Sequence, residues 1–209
     1  MSILLTRFLE ENGFLSLNMM KKVNNQLGKA ELRRTLLKIR QSMTEEEWRE
    51  KSSCIASQLE SLPLFTQSNT ILAYFSFRQE PDLSSLFVDT KQWGLPRVDG
   101  ESLIWHRWKA GETLLTGAYG IFEPRADSPT LEANDVDLIL VPAVACDRRG
   151  YRLGYGGGYY DRLLSSPLWS SKPTIGIVFD FACLAEVPID EWDKPLYGVC
   201  TENGLIMTR

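Results

Sequence analysis

A chain of 209 residues holds material for one large domain or two small ones, with ample core. Its 44% hydrophobic and 24% charged residues are ordinary for a soluble globular protein. A net charge of −4 argues against a general nucleic-acid binder, though not against local basic patches. The segment from Ile3 to Leu17 is partly apolar but is interrupted by Arg7, Glu10, Glu11 and Asn12. It is too short and too polar for a membrane span, and it lacks a basic start or small-residue cleavage site for secretion. Residues 1–28 therefore read as a variable extension, with Met19 or Met20 a possible true start, ahead of a single domain over 29–209. Lys29 to Gln41 follows with Leu32, Leu36 and Ile39 on one helical face. At 100° per residue, Lys29, Arg33 and Arg40 fall within a ~40° arc beside that apolar stripe, either a solvated face or a convergent polyanion site. Thr44 and Glu47 form a capping box for a second helix to about Glu60, with Trp48, Ile55 and Leu59 facing inward.

Thr70 to Phe77 reads as a strand, followed by a loop that holds Arg78 and Glu80. Asp82 to Gln92 reads as a helix, Leu95 to Val98 as a short strand, and Leu103 to Trp108 as an edge or hairpin strand. Asp137 to Val144 is a near-continuous apolar run, as expected of a central parallel strand. Pro173 to Phe179 gives another buried strand, and Gly198 to Ile206 one or two short ones. Strand–helix alternation around apolar strands predicts an α/β fold: a three-layer α/β/α domain on a mostly parallel central sheet. The four cysteines are far apart and form no CxxC pair, so they read as free thiols of a reducing, cytoplasmic compartment. His106 is the only histidine, which excludes a His-rich metal site. No sustained apolar surface stripe or membrane segment is evident, so a monomer is the default expectation.

The segment from Arg152 to Arg162 carries the chemistry. Four glycines within five residues (Gly154, Gly156, Gly157, Gly158) clear side chains from a tight stretch of backbone and free its N–H groups to surround a ligand. Tyr159 to Ser165 reads as a helix start, and Arg152 and Arg162 add positive charge, a combination that suits phosphate. A P-loop is excluded because no Lys-Ser/Thr follows, and the dinucleotide fingerprint fails at Tyr159, where its last glycine belongs. A flexible surface loop is the bland alternative. Asp161 at the helix start suggests Mg²⁺ bridging a carboxylate and phosphate oxygens, or else a simple helix cap.

Further motifs occur in order: Lys29-x-x-Leu32-Arg33 with Arg40 downstream, Tyr74-Phe75-Ser76 with Glu80-Pro81-Asp82, and Leu95-Pro96-Arg97-Val98. Gly120-Ile121-Phe122-Glu123-Pro124, Val141-Pro142, Asp147-x-x-Gly150 and the glycine loop complete the series. Together they resemble the 5-formyltetrahydrofolate cyclo-ligase family over roughly Lys29 to Thr201. The resemblance implies conversion of 5-formyltetrahydrofolate to 5,10-methenyltetrahydrofolate with ATP as co-substrate and Mg²⁺ as cofactor. By the same resemblance Lys29, Arg33 and Arg152 would hold ATP phosphates, with Lys29 and Arg152 catalytic. The loop residues Gly154, Tyr155, Gly156, Gly157, Gly158, Tyr159 and Tyr160 would wrap the triphosphate. Asp161 would bind the metal, with Asp193 as a second carboxylate or merely a surface turn residue. Glu80 would hydrogen-bond the pterin edge, and Phe75 and Tyr119 would pack on the folate rings, although Phe75 could equally be core. Two departures stand out. Cys146 replaces a usual phenylalanine, and the segment after Asp193 lacks an acidic residue that many members carry, which leaves the second metal ligand open. A non-catalytic folate-binding relative, and a phosphotransferase with another acceptor, are the alternative functions.

Overall fold

The computed structural model describes residues 28–208, so the reading of residues 1–27 as an extension falls outside the described residues. Helix α1 (Lys29–Gln41) buries Leu32 and Leu36 along the expected face. Helix α2 (Glu45–Glu60) begins at the capping box. The Thr44 hydroxyl accepts the Glu47 amide at 3.2 Å, and the Glu47 carboxylate accepts the Thr44 amide at 2.9 Å. Ile55 and Leu59 are buried as expected, whereas Trp48 is half-buried and donates its indole N–H to the Glu80 carbonyl at 2.8 Å. A short helix, α3 (Pro63–Gln67), starts on its proline and leads into the first strand.

The strands are β1 (Thr70–Leu72), β2 (Gln92–Asp99), β3 (Ser102–Trp108), β4 (Leu115–Thr116), β5 (Phe122–Glu123) and β6 (Leu138–Pro142). They continue as β7 (Ala145–Asp147), β8 (Arg152–Leu153), β9 (Thr174–Ile177), β10 (Cys183–Leu184), β11 (Gly198–Thr201) and β12 (Gly204–Met207). Helices α4 (Tyr159–Ser165) and α5 (Pro167–Ser170) lie between β8 and β9. The main sheet has seven strands in the order β12-β11-β9-β6-β1-β2-β3. Pairing is parallel from β11 to β2 and antiparallel only at the two edges. The apolar run Asp137 to Val144 becomes β6, with a parallel neighbour on each side, which is why it is apolar on both faces.

Alternation along the strands then builds two cores. Leu72, Ile139 and Val141 pack with Leu32 and Leu36 of α1 and Leu163 and Leu164 of α4. Ile71, Leu138 and Leu140 point the other way, toward Ile55 and Leu59 of α2 and Phe65 of α3. The result is the expected three-layer arrangement. Two element readings need correction. The first strand ends at Leu72 instead of Phe77: buried Tyr74 donates its hydroxyl to the Pro81 carbonyl at 2.8 Å, folding the chain back on itself. The segment Asp82 to Gln92 is not an α-helix. Asp82 accepts from the Ser84 amide at 3.1 Å and hydroxyl at 2.7 Å, so only a single 3₁₀ turn, Ser84–Leu86, forms. Buried Leu83, Leu86 and Phe87 have helical spacing but fill the core from a loop.

A small second sheet, β10-β7-β8, delivers the glycine loop. Its organiser is Asp147, fully buried, whose carboxylate accepts the amides of Arg149 (2.9 Å), Tyr151 (3.1 Å) and Val187 (3.1 Å) and the Arg149 guanidinium (2.7 Å). Gly150 closes the turn with φ +88°, and a Cβ there would strike the Leu196 carbonyl at 2.5 Å. The Asp-x-x-Gly motif is thus a structural device that fixes where Arg152 begins. His106 is structural too: buried, with Nδ1 2.7 Å from the Ser128 carbonyl.

Candidate active site

The segments that follow the C-terminal ends of β1, β6 and β9 carry Glu80, the glycine loop and the Asp193 turn, the end of an α/β sheet where ligands bind. Helix α1 crosses to meet all three. Arg33 Nε donates to the Gly154 carbonyl at 2.6 Å, and Arg162 donates to the Gly157 carbonyl at 2.8 Å and the Glu101 carbonyl at 2.6 Å. Two arginines therefore hold the loop by its carbonyls. The amides of residues 154–158 donate to no acceptor among the described residues. Gly156 and Gly158 have φ of +105° and +70°, and a Cβ at Gly157 would meet the Tyr159 ring at 2.8 Å. Gly154 differs: its φ is ordinary and a Cβ there would meet nothing within 4 Å. Helix α4 itself is only seven residues long, with Gly158 as a left-handed N-cap.

Cations and carboxylates are cross-paired around this loop. Lys29 Nζ lies 2.6 Å from Asp190 and 2.8 Å from Asp193. Burial opposes the Lys29 charge, but these hydrogen bonds and carboxylates outweigh it and hold the ammonium above its ordinary pKa. Burial likewise works against Asp193, yet Lys29, the Asp190 amide and the nearby Arg152 charge hold its carboxyl below the usual range. Arg152, nearly buried, donates to the Asp161 carboxylate and to the Lys194 carbonyl at 2.8 Å. The structure thus brings Lys29, Arg152, Asp161 and Asp193 into one charged group, with Arg33 beside it on the loop.

A second group lies next to it. Glu80 is buried, its carboxylate accepting the Phe77 amide at 3.1 Å, and its main-chain carbonyl accepts Ser76 Oγ at 2.8 Å. Burial pushes the Glu80 carboxyl up to about 7 despite the Arg40 guanidinium, the Phe77 amide and the Tyr155 hydroxyl, which favour the charged form. Tyr160 turns its hydroxyl into the same region, where it is buried and finds no partner among the described residues. Phe75 is half-buried, edge-on to Trp108 (6.4 Å between centroids) and Phe122 (5.9 Å). Tyr119 is apart from Glu80 in its contacts: it is 71% exposed, with φ +60°, and its hydroxyl lies 3.1 Å from that of Tyr159. Asp190 went unmarked in the sequence, and Tyr74 was marked only as part of a motif; the only signal for Asp190 was the Asp-Glu-Trp-Asp spacing, which lets the Asp190 amide donate to Asp193 at 2.7 Å.

A family model described as the 5-formyltetrahydrofolate cyclo-ligase family matches residues 25–202. The chain belongs to that family. A relative from Mycolicibacterium smegmatis, named 5-formyltetrahydrofolate cyclo-ligase, is 30% identical over 193 residues, covering 87% of this chain and 97% of its own. One of the same name from Escherichia coli strain K12 is 28% identical, covering 78% and 94%. The solved structure of Aquifex aeolicus 5,10-methenyltetrahydrofolate synthetase superposes with a TM-score of 0.77 at 38% identity, over 87% of this chain and 93% of that one. The fold is therefore shared over most of the chain, which spans nearly the full length of these relatives. Among the described residues, no helix is long and apolar enough to cross a membrane.

Proposed function

We propose that this chain converts 5-formyltetrahydrofolate to 5,10-methenyltetrahydrofolate, consuming ATP with Mg²⁺ as cofactor. The observation that carries this reading is the juxtaposition of a glycine loop whose amides are free among the described residues, gripped by α1, with the buried carboxylate of Glu80 next to Tyr155. The formyl group on N5 is a stabilised amide whose oxygen leaves poorly as hydroxide. Transfer of the γ-phosphoryl group of ATP to that oxygen releases ADP and leaves an electron-poor carbon bearing a good leaving group. N10 attacks this carbon and loses its proton, and the N5 lone pair expels phosphate, closing the ring. Phosphoryl transfer asks a protein for positioning and charge neutralisation rather than a nucleophile. That demand matches Lys29, Arg33, Arg152 and the loop amides, the donors available to the charge that develops on the transferring group.

Asp161 and Asp193 would hold Mg²⁺. Among the described residues no three His, Cys, Asp or Glu side chains group as a full cage. Two carboxylates with phosphate oxygens and water are the usual donor set for this ion, so the residues present fit it. When bound it would supply charge neutralisation between phosphate oxygens. Glu80 would accept from the pterin N–H groups, and Phe75 and Tyr119 would flank the flat rings.

The deciding assay mixes purified protein with 5-formyltetrahydrofolate and Mg-ATP and follows methenyl absorbance in the near ultraviolet. Folded protein that yields no absorbance overturns the proposal, and ATP-dependent phosphorylation of a non-folate compound instead would make it a phosphotransferase. Two further outcomes are expected. Gly154→Ala should leave stability within about 0.5 kcal/mol, since its Cβ enters open space. It should nevertheless raise the ATP KM about tenfold, because the methyl group occupies the side from which phosphate approaches; titration against Mg-ATP checks this. Glu80 must be ionised to accept from the pterin. With its pKa raised to about 7, kcat/KM for the folate should climb with pH through that value. At one pH unit below, activity should lie about tenfold under the plateau. Glu80→Gln should flatten that limb and lower the plateau of kcat/KM above pH 7, the two proteins converging at low pH where the parent carboxyl is also neutral.

A further inference from the structure

Arg40 is a cation that the proposed chemistry has not used. It sits in the last turn of α1 and is 4% exposed, an expensive place for a charge. Among the described residues it forms no ion pair. Its Nε donates to the Arg78 carbonyl at 3.0 Å, and its terminal nitrogen donates to the Tyr155 hydroxyl. The guanidinium carbon also lies 5.5 Å from the centre of the Tyr155 ring.

Both contacts lead to functional neighbours. Tyr155 belongs to the glycine loop. Arg78 and Gln79 form the turn that presents Glu80, with φ of +49° and +55° on residues that are not glycine. That strained turn is held from outside: Arg40 takes the Arg78 carbonyl, Gln79 Nε2 donates to the Met43 carbonyl at 3.3 Å, and Trp48 takes the Glu80 carbonyl. Arg40 alone among these three also touches the loop. A planar guanidinium can serve a carbonyl and a hydroxyl at fixed angles, which a lysine ammonium cannot reproduce.

We propose that Arg40 is a positioning residue that ties the glycine loop to Glu80, so that the nucleotide and folate ends of the site are set by one buried guanidinium. The inference rests on the folate reading of Glu80. The groups facing Glu80 are Arg40 from α1, Tyr155 from the loop, Tyr160 from α4 and Tyr74 after β1, with Asp82 and Arg152 beyond the last two. The three tyrosines are pushed up by burial and stay protonated, so among the described residues Arg40 is the full positive charge that acts on the carboxylate. Tyr160 contributes the unpartnered hydroxyl, a place for one polar atom of the substrate.

The test compares Arg40→Met, Arg40→Lys, Tyr155→Phe and the Arg40→Met/Tyr155→Phe pair in the full chain. Readouts are folate binding by intrinsic tryptophan fluorescence, KM for each substrate, and the pH midpoint of folate kcat/KM. Arg40→Met should move that midpoint upward by about one unit and raise both KM values about tenfold. Arg40→Lys should keep the midpoint near that of the parent but still raise the ATP KM, since charge survives and the fork does not. The pair should be no worse than Arg40→Met alone, because both changes break one link. A structural role alone predicts a lower melting temperature with an unmoved midpoint; that result, or an additive pair, overturns the proposal. If Arg40→Met does not fold, Arg40→Lys and Tyr155→Phe decide: an unchanged ATP KM in both overturns it. Failure of the folate reading is separate, since the parent protein would then give no methenyl absorbance at all.

Discussion

Lys29→Met is expected to lower kcat/KM about a thousandfold, as for loss of a donor to developing charge. Its melting temperature should stay within roughly 4 °C of the parent. The two effects separate because Lys29 is partly exposed, its side chain 27% accessible, and ion pairs in such positions contribute little to stability. Asp193 retains the Asp190 amide at 2.7 Å and the field of Arg152 when the ammonium is gone. In the proposed reaction, by contrast, Lys29 exchanges its carboxylates for ATP phosphates. Steady-state kinetics and calorimetry on one preparation give both numbers. Intact turnover with a melting temperature lowered by tens of degrees would make Lys29 a structural cross-link instead.

Asp147→Ala should behave in the opposite way, destabilising the fold by about 3 kcal/mol or more. In a chain of this size that lowers the melting temperature by roughly 10 °C. The carboxylate is fully buried and accepts from three amides and two guanidinium N–H groups, so alanine leaves five donors without their acceptor. Whatever activity survives at low temperature should have near-parental KM values, because Asp147 touches no proposed ligand group. Asp147→Asn keeps an acceptor oxygen and should fall between alanine and the parent. A melting temperature unchanged in Asp147→Ala would mean that the hairpin is held by its strand pairing alone.

Both residues were visible in the sequence, but not equally. The helices at Lys29 to Gln41 and Glu45 to Glu60 were legible to the residue because their signals are local: apolar spacing in one, a capping box in the other. The central strand β6 was legible because burial on both faces leaves an uninterrupted apolar run. The segment after Asp82 was not, since Leu83, Leu86 and Phe87 share helical spacing with a buried loop and the decisive bond to Ser84 is a side-chain choice. The glycine loop and its basic helix could be paired only through the family resemblance, because nothing local in Lys29 or Arg33 indicates a partner over a hundred residues away. Arg40 could be placed on the basic line but not in the Glu80 cluster, for burial of a guanidinium is set by tertiary packing. Asp161 read as a carboxylate bridged to phosphate by Mg²⁺, or as a helix cap, whereas its partner in the structure is Arg152.

The bond from Arg33 to Gly154 spans 121 positions, that from Arg40 to Tyr155 spans 115, and that from Lys29 to Asp190 spans 161. Every cation that α1 brings to the site is therefore made early in synthesis and must wait for its counterpart until most of the chain has emerged. Contacts of such separation carry a large loop-closure cost and form late in folding. Catalytic competence in this protein is consequently a property of the finished chain, and recovery of turnover after denaturation should lag behind recovery of helical circular dichroism.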